Sequence, residues 1–195
     1  MGTDCAPFLA NLFLFAFEYK WLLKKFKEKD SDTLKKFNHC FRYIDDLLCL
    51  NNDELMEDVM NEIYPKELAL TSDDAVLQSH YLDLDIEIIN GKFHTKLFDK
   101  RDAFNFQIVN FPDLSGNIPS KQSYGVFVSQ LIRYARCCED LADFTTRTKI
   151  LIKKLVEQNF KLHQLKRVFE RFAETHYDLL FKYNESMSDI CKCCY

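Results

Sequence analysis

Residues 6–29 read as one helix whose two halves are patterned differently. The first half is apolar on nearly every face, from Phe8 through Phe17, and the second carries Lys20, Lys24, Lys25, Lys27 and Lys29. That pattern predicts a helix that starts buried in the core and emerges into solvent, with Pro7 tolerated in its first turn. A polar stretch at Asp30–Thr33 leads to residues 41–50, two short apolar strands on either side of Asp45-Asp46. A short acidic helix, 52–62, is expected to stop before Pro65. From Tyr81 to Ile88 apolar and acidic residues alternate, Asn90-Gly91 follows, and Lys92–Phe98 alternates again. Alternating strands joined by Asn-Gly predict a β-hairpin, whose acidic residues face Lys92 and Lys96 across the ladder. An irregular aromatic segment, 103–120, contains Pro112, Gly116 and Pro119. Helical spacing then takes over at 122–138, 141–157 and 162–184, the last with a stripe of Leu162, Leu165, Phe169, Phe172, Leu179 and Tyr183. The expected class is α+β: a mixed part at 1–102, a connection at 103–120, a helical part at 121–184 and a Cys-rich tail at 185–195.

Composition changes this picture in three places. The 195 residues are 47% hydrophobic and 29% charged, which suits a folded chain rather than a disordered one. Phe occurs 18 times and Tyr 9 times, implying an aromatic-rich core or stacking surface. Net charge is −4 but unevenly spread. Residues 51–90 hold 11 acids against one Lys, a local −10, and residues 146–182 hold nine Lys or Arg against four acids, a local +5. Only the second stretch invites a phosphate-bearing partner.

The 8 Cys are irregularly spaced and no secretion signal accompanies them, so they read as reduced thiols of an intracellular protein, nuclear or cytoplasmic rather than secreted. Cys191, Cys193 and Cys194 find no second cluster with zinc-site spacing and are expected on a mobile tail. The apolar run Phe8–Phe17 is half of the roughly 20 residues a membrane span requires, and Asp4 with no preceding Lys or Arg does not suit a signal peptide. No membrane partner is expected. His39, His80, His94, His163 and His176 show no ligand spacing and read as structural or surface residues.

The chemistry lies at Asp45 and Asp46. Two carboxylates at the tip of a tight hairpin can hold the divalent cations of phosphoryl transfer, because Mg²⁺ takes carboxylate oxygens together with substrate phosphates. A bare Asp pair between apolar residues is more simply a turn. The surrounding residues change that judgement. Phe41-Arg42-Tyr43-Ile44-Asp45-Asp46-Leu47-Leu48 resembles the Y-x-D-D motif of reverse transcriptases, and Gly2-Thr3-Asp4-Cys5-Ala6-Pro7 with the apolar helix after it is similar to the motif preceding it in that family. Tyr81-Leu82-Asp83-Leu84, Asp99-Lys100-Arg101-Asp102 and Ser123–Arg136 resemble the region beyond the active site in eukaryotic retroelement enzymes, of Penelope-like or related non-LTR type.

The resemblance covers nearly the whole chain and implies a C-terminal portion of an RNA-directed DNA polymerase: a partial palm followed by a thumb-like helical bundle. It further implies catalysis and binding of Mg²⁺ or Mn²⁺ by Asp45 and Asp46, and Tyr43 near the primer terminus. Gly2, Ala6 and Pro7 would line the template–nucleotide site, although simple helix entry explains them equally well. The partners implied are an RNA template, a DNA primer and a dNTP. Lys153, Lys154, Lys166 and Arg167 would grip the nucleic-acid backbone without reading sequence. Two departures matter. The family's further Asp, on a strand before the glycine motif, has no counterpart after Met1, so the chain alone is expected to be inactive. The family's downstream basic residue also finds no match, since Thr71-Ser72-Asp73-Asp74 is acidic and Lys66 reads as a surface lysine. The competing expectation is a non-catalytic nucleic-acid-binding module or an inert retroelement remnant.

Overall fold

A computed structural model describes residues 4–50, 55–68, 71, 77–106, 108 and 110–195, with side chains of 55–57 omitted. The expectations for Gly2 and for residues 72–74 therefore lie outside the described residues. The chain is α+β, 59% helix and 14% strand, and packs as two units that divide between Leu77 and Gln78.

In the first unit, α1 (Ala6–Glu28) starts with Pro7 in its first turn and ends at Lys29, whose left-handed φ of 57° stops the helix. The polar stretch that follows is helical: Asp30 caps α2 (Ser31–Phe37) by accepting from the Thr33 N–H. Strands β1 (Cys40–Tyr43) and β2 (Asp46–Cys49) pair antiparallel. Helix α3 (Leu55–Ile63) overlaps the acidic helix expected at 52–62 and runs one residue beyond it, while the first expected residues fall outside the description. The core is Trp21, Met60, Ile63 and Tyr64, with Leu14, Phe17, Phe37, Cys40, Leu47 and Cys49 packed on it.

The expectation of a buried α1 is corrected. Leu14, Phe17 and Trp21, at helical spacing, face the hairpin and α3, but Phe8 (77% exposed), Phe13 (52%), Phe15 (53%) and Phe26 (72%) do not. One hairpin and two short helices cover a single stripe of a 23-residue helix, so its remaining apolar faces are left to solvent within this unit.

The second unit opens with a three-stranded antiparallel meander, β3 (Gln78–Tyr81), β4 (Leu84–Ile89) and β5 (Lys92–Leu97). Asn90-Gly91 turns the β4–β5 hairpin, both residues with positive φ. The stretch 81–88 is not one strand, because Leu82 takes a φ of 54° and a second turn interrupts it. Lys96 reaches Asp85 (3.3 Å) and Glu87 (2.7 Å) as expected, whereas Lys92 stands opposite Ile89. Asp85 is buried rather than outward, receiving Gln78 Nε2 as well as Lys96. A 3₁₀ turn, Lys100–Ala103, leads through irregular chain to the helices α4 (Ser120–Cys137), α5 (Leu141–Glu157) and α6 (Leu162–Thr175).

The helix expected at 162–184 is broken at His176 (φ −121°) into α6, the short α7 (Tyr177–Leu180) and a 3₁₀ turn at Phe181–Tyr183. The tail expected to be mobile is helical and packed on the core. It forms α8 (Met187–Cys194), where the Ser186 hydroxyl accepts from the Asp189 N–H and donates to its carboxylate. Ile190 and Cys194 join Phe144, Leu155, Phe169 and Phe172 in one core, to which Leu97 of β5 also belongs. No helix of the described residues is long and apolar enough to cross a membrane.

Candidate functional site

The β1–β2 hairpin pairs Tyr43 with Asp46, Arg42 with Leu47, Phe41 with Leu48 and Cys40 with Cys49, leaving a two-residue loop of Ile44 and Asp45. Alternation along the strands gives the hairpin two faces. Cys40, Arg42, Leu47 and Cys49 turn toward α1 and the core, while Phe41 and Tyr43 are 49% and 55% exposed with Asp46 beside them. The carboxylates of Asp45 and Asp46 therefore stand at an exposed tip, next to the Tyr43 ring.

The tip is strained. Ile44 has φ 55°, and a two-residue loop with a positive φ at its first position ordinarily carries glycine there. A β-branched residue in that region costs about 1–3 kcal/mol and persists only where its surroundings over-determine it. Arg42 supplies the constraint. Its guanidinium donates to the Ile44 carbonyl (3.2 Å), to Asn11 Oδ1 (2.7 Å) and to both carboxylate oxygens of Glu18 (2.5 and 3.3 Å). The hydroxyl of Tyr64 donates to the same Glu18 at 2.5 Å, tying α3 into the network. Burial, reinforced by this bond to Glu18, pushes the Tyr64 phenol up from its ordinary range. Its hydrogen bonds to the Glu18 carboxylate raise the Arg42 guanidinium, so that side chain stays charged. Asn11 stands four residues, about one turn, beyond Pro7. Arg42 thus ties the Asn11 turn of α1, one turn from Pro7, to the hairpin.

Expected site residues Tyr43, Asp45, Asp46, Ala6 and Pro7 are therefore gathered on one unit. Arg42 and Glu18, which hold them, were visible in the sequence only as one motif letter and one helix residue. Among the described residues no further carboxylate, His or Cys joins Asp45 and Asp46 in a group of three that could share an ion. The two carboxylates are of the hard-oxygen type that Mg²⁺ or Mn²⁺ prefers.

Lys153 and Lys154 lie on α5, and Lys166 and Arg167 on α6, all in the second unit. Lys153, Lys166 and Arg167 are exposed and Lys154 is half-buried; Lys166 sits over the Tyr195 ring at 5.4 Å. Other basic residues of this unit serve structure instead. Arg133 holds Asp83 at 2.5 Å, and Arg147 pairs with Asp102 while donating to the Leu97 carbonyl.

One group escaped sequence reasoning. His94 of β5 has Nδ1 3.5 Å from Glu139 and 3.6 Å from Asp140, and Nε2 3.6 Å from Asp143. Ligand atoms of His94, Asp140 and Asp143 all lie within 4.8 Å of one another, so the set could hold a cation. The spacing Asp140-x-x-Asp143 was legible, but its meeting with His94 depends on docking β5 against the start of α5.

Compared with family models, curated proteins and solved structures, the chain matches none.

Proposed function

We propose that the first unit is part of the nucleotidyl-transfer centre of a reverse transcriptase, a palm element whose Asp45 and Asp46 hold Mg²⁺ or Mn²⁺. The observation that carries this reading is the strained Ile44 turn, braced by Arg42 against α1, which keeps two adjacent carboxylates exposed on a rigid support. An ordinary surface turn has no need of a β-branched residue at positive φ or of a largely buried Arg–Glu pair beneath it, and strain retained at such a cost is a marker of a working site. Asp45 acts as the principal ligand and Asp46 as its neighbour. Tyr43 sits beside the primer terminus, and Ala6 and Pro7, with Gly2, line the template–nucleotide side. When bound, the divalent cation favours ionisation of the primer 3′-hydroxyl and neutralises charge on the phosphate. In this reading the second unit is thumb-like, and Lys153, Lys154, Lys166 and Arg167 meet the phosphates of an RNA–DNA duplex.

A second reading, nucleic-acid binding without chemistry, draws support from the carboxylate count: two at the tip among the described residues, where a two-metal reaction calls for more. Adding Mn²⁺ to isotopically labelled chain should broaden the amide resonances of residues 43–47, with the effect lost in Asp45→Asn. Broadening that is absent, or indifferent to Asp45, removes the hairpin from consideration as a cation site. Asp45-dependent primer extension on an RNA template belongs only to the enzyme. Absence of product is expected of this chain in either reading, and the Mn²⁺ measurement then decides, since a binding module has no need of a cation at Asp45.

A further inference from the structure

At the other end of the same hairpin, Cys40 lies directly opposite Cys49. The ladder fixes what kind of pair this is. A two-residue loop makes its flanking residues, Tyr43 and Asp46, a hydrogen-bonded pair, and the type alternates from there. Arg42–Leu47 is then non-hydrogen-bonded, Phe41–Leu48 hydrogen-bonded, and Cys40–Cys49 non-hydrogen-bonded. The bond from the Leu50 N–H to the His39 carbonyl (2.9 Å) agrees, because it places the next hydrogen-bonded pair one step beyond the cysteines. Non-hydrogen-bonded pairs bring Cα atoms to about 4.5 Å with side chains on one face, inside the range of about 4.4–6.8 Å that a disulfide spans. Both side chains turn toward α1 and α3, and both are half-buried. The Cys40 thiol also lies 3.9 Å from the Lys36 carbonyl.

We infer that Cys40 and Cys49 are an oxidisable pair that closes to a cross-strand disulfide when the protein meets a hydroperoxide. The inference needs no assumption about what the hairpin tip binds. The sulfur of Cys49, as thiolate, attacks one peroxide oxygen; the O–O bond breaks, and water leaves after protonation, giving a sulfenic acid. The sulfur of Cys40 then attacks the sulfenic sulfur, loses its proton and expels a second water. Two thiols and one hydrogen peroxide become one disulfide and two waters, the sulfurs being oxidised and the peroxide oxygens reduced. The Cys40 S–H is directed at the Lys36 carbonyl, which keeps that sulfur a thiol, while interaction with Cys40 holds the Cys49 thiol below its ordinary value, so Cys49 is the sulfur that reacts first. The other cysteine described in this unit, Cys5, is exposed at the start of α1. A bond at the open end of the hairpin fixes both strands covalently while leaving Tyr43, Asp45 and Asp46 unblocked.

Tryptic mapping tests this directly, because cleavage after Arg42 puts the two cysteines on different peptides, Phe37–Arg42 and Tyr43–Lys66. The folded full chain is treated with a small excess of hydrogen peroxide, remaining thiols are capped with iodoacetamide, and the digest is read by mass spectrometry. The expected product is the two peptides joined, lighter than their sum by two hydrogen atoms and separated by dithiothreitol. Under the same conditions Cys49→Ser should give no linked pair, and Cys40→Ser should leave sulfenic acid on Cys49, trapped by dimedone. Should either variant fail to fold, the wild-type map decides alone. Recovery of both peptides capped, singly over-oxidised, or linked to Cys5 instead overturns the inference.

Discussion

Arg42 is the side chain on which the first unit turns. It and Glu18 are only 13% and 15% exposed, so each would be costly to bury without the other. Removing the guanidinium leaves Glu18 with the donation from the Tyr64 hydroxyl and frees the Ile44 carbonyl. Arg42→Ala should therefore lower the unfolding free energy of this unit by about 3 kcal/mol, read from urea denaturation by tryptophan fluorescence. Arg42→Lys should recover only part of it, because an ammonium cannot make the forked contact with both Glu18 oxygens. A loss below about 0.5 kcal/mol, the range of an exposed pair, would contradict the role assigned to Arg42. At this scale the sequence was legible where chemistry is local. Asp45 and Asp46 fall in a tight turn as the apolar flanks require, and Asn90-Gly91 turns as its φ preferences require. Arg42 was not legible, since its partners stand 24 and 31 positions away. His94 met its carboxylates by the same non-local route.

Among the elements, α8 carries the clearest correction. Its cysteines drew attention to metals and redox state, whereas the informative residues were Ser186 and Asp189, a capping pair three positions apart. With the N-terminus capped, Ile190 and Cys194 fall on the buried face of a short amphipathic helix. Ile190 is fully buried among aromatic residues, so Ile190→Ala should cost about 2–4 kcal/mol, measured as a lowered urea midpoint by far-UV circular dichroism. A mobile tail would show no change. The opposite error was made at α1, where an apolar surface was equated with burial. Helix periodicity shows which residues could be covered, and the number of neighbouring elements decides how many are. Around α1 those neighbours come from α2, the hairpin and α3, and no local pattern announces that they suffice for one stripe only.

For the molecule as a whole, the two cores differ greatly in size. Four buried residues centre the first and twenty-one the second, among the described residues. The single tryptophan, Trp21, belongs to the smaller core, while most of the helix belongs to the larger unit. Urea unfolding followed by Trp21 fluorescence should therefore precede unfolding followed by far-UV circular dichroism, and coincident curves would show one cooperative unit. At pH 10 the second curve should move to lower urea. Burial pushes Cys137 up to about 11 and Tyr134 and Cys194 up to about 12, whereas in the unfolded chain thiols and phenols ionise at about 8.5–10. Above about pH 8.5 the unfolded state thus sheds protons that the folded state keeps, and stability falls as pH rises toward these raised values. The uncovered side of α1 gives the molecule one more property, that of an amphiphile. Phe8, Leu9, Leu12 and Phe26 are exposed apolar side chains on a helix whose second half is rich in lysine, and lyotropic anions such as sulfate raise the cost of wetting them. Sulfate should then lower the protein's solubility more steeply than chloride at equal ionic strength.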